Sequence, residues 1–74
     1  MKRVNTRVMR AIRGTKGRFF GLYTSNGESL NAQLSGETNN YVKVHDRNAG
    51  VDRKFAKTSI CGVRIAEQTF GKVF

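Results

Sequence analysis

Two hydrophobic periods divide the chain. Between Val4 and Gly14, apolar side chains return every three to four residues, so Val4, Val8, Ala11 and Ile12 share one side while Arg3, Arg7 and Arg10 share the other. That spacing predicts a helix over about residues 4–13. Asn5 or Thr6 suits its N-cap, and Gly14 stands where a helix commonly ends. A helix of about nine residues does not persist alone in water, so its apolar stripe must dock on the rest of the chain.

From Gly17 onward the period is two. In RFFGLYT, Phe20, Leu22 and Thr24 face one way and Phe19, Gly21 and Tyr23 the other. Asn26-Gly27 predicts a type I′ hairpin turn. The return strand, ESLNAQL, turns Leu30, Ala32 and Leu34 inward and Ser29, Asn31 and Gln33 outward, and Ser35 to Asn40 reads as a polar loop. YVKVH places Val42 and Val44 inward, with Tyr41, Lys43 and His45 outward. DRNAG turns the chain into a fourth strand, VDRKFAK, with Val51 and Phe55 on one face. TSICG reads as a tight turn of 3₁₀ type before VRIAE, a fifth strand.

Five short strands in an open sheet leave exposed edges and no second layer. The expected architecture is therefore mainly β: a small closed five-stranded SH3-like barrel over residues 17–67. The short N-terminal helix packs on it, residues 68–74 form a C-terminal tail, and the whole is one domain. An OB-type barrel is the alternative, but it places its longer connection between the third and fourth strands, where this chain has only a hairpin turn.

Size and composition narrow the chemistry. A chain of 74 residues buries only about 60% of its unfolded surface and has no room for a cleft between subdomains. One cysteine, Cys61, permits no internal disulfide, and one cysteine with one histidine is too few for a four-ligand zinc site. His45 and Asp46 are neighbours on a strand and point to opposite faces, so they form no dyad. Cys61 reads as a small buried apolar residue. No catalytic residue, metal, cofactor or small-molecule substrate is expected, and the chain is read as a non-enzyme. No run of 18 apolar residues occurs and no apolar segment follows the basic N-terminus. A cytoplasmic protein without a membrane partner is expected.

Charge decides the class of partner. Fourteen Lys and Arg against five Asp and Glu leave a formal charge of +9, with an isoelectric point near 10.7. Residues 1–18 hold seven of the basic side chains and no acidic one. Nucleic acid, DNA or RNA, is the expected partner, because phosphate neutralisation releases counterions. The candidate contacts begin with Arg3, Arg7 and Arg10 on the helix, extended by Arg13, Lys16 and Arg18. Arg53, Lys54 and Lys57 form a second basic cluster, and Tyr23, Tyr41 and Lys43 are outward on the strands. Few base-edge readers accompany them, so little sequence preference is expected. Repulsion along the helix face would be relieved by an anion or by Glu28, Glu37 or Asp46 from the barrel.

Lys16-Gly17-Arg18-Phe19-Phe20-Gly21-Leu22-Tyr23 approximates the aromatic strand of RNA-binding sheets, with an inserted Arg and a Leu in place of one ring. If the helix packs on the Phe19–Tyr23 face, Val8 and Ile12 cover both rings, and Gly21 admits the close approach. If not, the rings are a stacking platform. A host protein is the alternative partner, suggested by Phe70, Val73, Phe74 and Tyr41.

Two resemblances accompany these readings. KGRFF, NGESLNAQLSG, NYVKVHDRNAG and RKFAKTSICGVRI, in that order, resemble small SH3-barrel proteins encoded by tailed bacteriophages, over roughly residues 8–67. That resemblance implies a fold and a viral origin, hence a bacterial host cytoplasm, and carries no catalytic residue. Locally, NGESLNAQLSGETNNYVKV is similar to a segment of the S1-type OB barrel of bacterial translation initiation factor one. That family binds the small ribosomal subunit through basic and aromatic surface residues, and Asn40, Tyr41 and Lys43 match part of its exposed strand. The flanking segments do not match, and we read the similarity as a shared hairpin solution.

Overall fold

The structure, a computed structural model, describes residues 3–73. One helix, α1 (Thr6–Arg13), precedes six strands: β1 (Phe19–Thr24), β2 (Ser29–Glu37), β3 (Tyr41–Asp46), β4 (Val51–Ala56), β5 (Ile60–Ile65) and β6 (Gln68–Gly71). A 3₁₀ turn, Lys57–Ser59, joins β4 to β5. The strands make one antiparallel sheet in the order β4-β3-β2-β1-β5-β6.

The mainly β architecture with one short helix is as expected, but the sheet has six strands and is not closed, so a closed five-stranded barrel is not shown. Among the described residues no pairing joins β4 to β6, so both remain edges, and a sixth strand exists where a tail was expected. QTFG pairs with β5, Phe70 opposite Val63 and Thr69 opposite Arg64. The turn before it, Ala66-Glu67, has neither Gly nor Asn, and Ala66 takes a positive φ of 54°. That absence of turn residues hid the hairpin.

The inner face of the sheet is apolar as the alternation requires. Phe20, Leu22, Leu30, Ala32, Val42, Val44, Phe55, Ile60 and Val63 join Val8, Met9 and Ile12 of the helix in a single core. The helix therefore lies on the inner face, against β5 and β6. Asn5 caps it, the side-chain oxygen accepting from the Val8 amide at 3.2 Å. The helix is shorter than expected and its stripe is rotated. Val4 lies outside it and is exposed, whereas Met9 is buried. Gly14 ends it in a right-handed conformation, and Lys16 and Gly17 supply the positive φ that turns the chain into β1.

Other local expectations need correction. The Asn26-Gly27 turn is not type I′, because only Gly27 has positive φ. The Gly27 amide donates to the Thr24 carbonyl at 3.1 Å, and the Thr24 amide donates to Glu28 at 2.9 Å. That is a three-residue turn with Gly27 in the bulge position. The supposed loop from Ser35 is, as far as Glu37, the last third of β2. Val51 shares a face with Phe55 but lies at the free edge and is 53% exposed. The tight turn is Lys57–Ser59, and β5 begins at Ile60 rather than after Gly62.

Close approach occurs at Gly62 and Gly71, not at Gly21. A Cβ on Gly62 would stand 2.1 Å from the Lys72 carbonyl oxygen, and one on Gly71 would stand 2.7 Å from a Val8 methyl. A Cβ on Gly21 would meet the side chains of Arg64 and Tyr23 at 3.4 Å and the Arg64 carbonyl oxygen at 3.7 Å.

Candidate nucleic-acid interface

Three groups of basic side chains result, and the sheet decides which of them are free. The first lies at one rim of the inner face. After Leu34 pairs with Val44, both Ser35 and Gly36 stand opposite Lys43, and Glu37 then pairs with Val42. The extra residue is a β-bulge, and it reverses the side to which the following residue points. Glu37 is thereby turned to the inner side, beneath the end of the helix. Arg13 Nη2 meets Glu37 Oε2 at 2.6 Å and Lys57 Nζ meets the same oxygen at 2.7 Å. Hydrogen bonds from Arg13, then from Lys57, hold the Glu37 carboxyl down at about 2, far below its ordinary 4.5. Lys57 is itself buried.

A second cluster ties the two hairpin turns to edge strand β4. Arg53 Nη1 lies 2.7 Å from Glu28 Oε2 and 3.5 Å from Asp46 Oδ2, and its guanidinium rests 4.8 Å from the Phe55 ring centre. A side-chain hydrogen bond from Arg53 lowers the Glu28 carboxyl. Asp46 also accepts the Asn48 and Ala49 amides at 3.0 and 3.2 Å, which fixes the β3–β4 turn. Arg13, Arg53 and Lys57, all candidate phosphate contacts, are thus engaged with the protein's own carboxylates.

The remaining candidates are placed differently. Arg7 and Arg10 project from the solvent side of α1, and Arg3 lies exposed just before it. Lys16 and Arg18, on the connection to β1, line a groove of about 380 Å³ with Gly14, Thr15 and Ile65. Among the described residues none of these five has a carboxylate partner. Lys2 and Phe74 lie outside the described residues.

Tyr23, Tyr41, Lys43 and Lys54 are on the outer face of the sheet, with Phe19. The helix does not cover that face, so of the two alternatives left by the sequence the one in which Val8 and Ile12 cover Phe19 and Tyr23 does not hold. Phe19 is 39% exposed and Tyr41 43%, while Tyr23 is half-buried. Lys54 Nζ stands 4.7 Å from the Tyr41 ring centre, and Arg47 Cζ stands 5.1 Å from that of Phe19. Asp52 is the outer face's acid. It pairs with His45 at 3.1 Å and more loosely with Lys43 at 3.7 Å. Arg47 and Arg64, exposed on this side, were not among the sequence candidates. Arg64 was legible as an outward residue opposite Gly21 only once the register was known.

Of the features suggesting a protein partner, Tyr41 stays exposed and Phe74 lies outside the described residues. Phe70 packs against the core, and Val73 is half-buried. Cys61, expected fully buried, is half-buried at the β5 bulge, its thiol 3.4 Å from the carbonyls of Tyr23 and Lys72. No helix among the described residues is long and apolar enough to cross a membrane. Comparison with known proteins gives no matching family model, curated protein or solved structure.

Proposed function

We infer that the chain is a small nucleic-acid-binding protein that grips phosphates with little regard to sequence, and that its origin is a bacteriophage. The strand order β4-β3-β2-β1-β5, with a 3₁₀ turn before β5, supports an SH3-like barrel as the underlying class. The observation that carries the function is the partition of charge. Four of the five acidic side chains are drawn into pairs with Arg13, Lys43, His45, Arg53 and Lys57. The surplus stands unneutralised at Arg3, Arg7, Arg10, Lys16 and Arg18. Unpaired, solvated guanidinium groups on one helix face repel one another, and a polyanion relieves that repulsion by releasing its own counterions.

The reading is tested by fluorescence anisotropy with labelled single- and double-stranded oligonucleotides of unrelated sequence. Arg7→Glu/Arg10→Glu weakens binding to all of them alike. Both positions are exposed, so the fold survives. A native protein that binds no oligonucleotide at low salt ends the reading.

A further inference from the structure

We propose that the nucleic acid is taken single-stranded, with an unpaired base stacked on Tyr41 in a groove on the outer face of the sheet. This rests on nucleic acid being the ligand and adds which form of it the protein selects.

The groove follows from the same bulge that reverses Glu37. Ser35 and Gly36 together face Lys43, and a Cβ on Gly36 would find nothing nearer than Lys43 Cβ at 3.8 Å. The missing side chain leaves a depression of about 500 Å³, lined by Thr38, Tyr41, Lys43 and Lys54 and bordered by Glu37, Asp52 and Arg53. Tyr41 begins β3, and its ring is among the most exposed large apolar surfaces of the molecule. Its backbone is tied to Thr38, the amide donating to Oγ1 at 3.1 Å, so the main chain that carries the ring is anchored at the rim. Among the described residues the phenol oxygen has no hydrogen-bond partner.

Charge complementarity selects the occupant. Lys54, over the ring at 4.7 Å, has no carboxylate partner among the described residues, and Lys43 is held only loosely, at 3.7 Å. Lys54 Nζ lies over the ring; once its flexible side chain swings onto a flanking phosphate, the π-face is open to any base. Phe19 with Arg47 repeats the pairing two strands away. The two rings are about 13 Å apart along the strands and about 10 Å across them. A duplex keeps its base faces stacked inside and can offer this surface only phosphates, so the rings discriminate in favour of an unpaired strand.

The test compares a single-stranded oligonucleotide, as DNA and as RNA, with a duplex of equal length. The native protein binds the single strand more tightly. Tyr41→Ala weakens single-strand binding about tenfold or more and leaves duplex binding unchanged, whereas Tyr41→Phe retains native affinity. Asp52→Asn, which removes the carboxylate beside the groove, strengthens it. The chain has no tryptophan and two tyrosines, so in a Tyr23→Phe background the emission of Tyr41 reports the site directly, and stacking quenches it. Equal affinity for duplex and single strand, or single-strand binding by Tyr41→Ala at native strength, overturns the proposal. Loss of affinity for every oligonucleotide in Arg7→Glu/Arg10→Glu would then show the phosphate reading standing without it. Absence of all binding removes both.

Discussion

Glu37 shows how much can depend on one unpaired residue. Without the bulge at Ser35-Gly36 its carboxylate would face outward; with it, the group sits between Arg13 and a buried Lys57. Its folded value of about 2 lies below the ordinary 4.5, so between those values the unfolded chain binds the extra proton. The stabilisation is complete above about pH 4.5 and is lost as the pH falls towards 2. Urea unfolding of the native protein across this range therefore gives a falling stability. Glu37→Gln shows a shallower fall, the remainder coming from Glu28. At neutral pH that variant is less stable by on the order of 2 kcal/mol, because Lys57 is left buried without its counterion. Gly62 is the second sensitive residue. Gly62→Ala would thrust a methyl group onto the Lys72 carbonyl, so the chain beyond Gly71 must move and the Lys72 amide loses its 2.8 Å bond to Cys61. A loss of about 2 kcal/mol or more is expected, with faster amide exchange in β6 than in β1.

At the scale of elements, α1 depends on its dock. Eight residues with three basic side chains do not sustain a helix in water, and three buried residues hold it to β5 and β6. Ile12, 1% exposed, is central to that contact. Ile12→Ala costs about 2–5 kcal/mol, whereas Arg7→Ala, on the exposed side, shifts stability by no more than about 0.5 kcal/mol. Thermal unfolding followed by circular dichroism separates the two. Periodicity was enough to find α1 and the inner faces of β1, β2 and β3, because burial imposes one period on each element. It did not find β6, whose turn lacks the usual residues, nor the last three residues of β2, where a bulge breaks the alternation between Leu34 and Glu37.

For the molecule as a whole, the balance of +9 is less informative than its distribution. The carboxylates are spent at the rim of the core and across the edge of the sheet, and the excess cations are left on the helix, on the connection to β1 and on the outer face. The helix lies on the inner side, so its arginines and the outer rings occupy different surfaces, linked by Lys16 and Arg18. Binding through five or six phosphates gives a log–log salt slope of about −4 to −5, and Arg7→Glu/Arg10→Glu makes it less negative by about 2. Titration of oligonucleotide binding over a range of salt concentrations measures both. A slope near zero would exclude phosphate contacts as the source of affinity.

The sequence alone determined the alternation that separates core from surface, the docking requirement of the helix and the excess of positive charge, since each depends on residues near one another in the chain. Only the tertiary structure decided which cations are free. Arg13, Arg53 and Lys57 look no different in sequence from Arg7, Arg10 and Lys54. Their nearest carboxylates, Glu37 and Glu28, arrive from 20 to 25 residues away, through a bulge and two turns. The exposure of Phe19 and Tyr41 was settled likewise, by which face of the sheet the helix chose to cover.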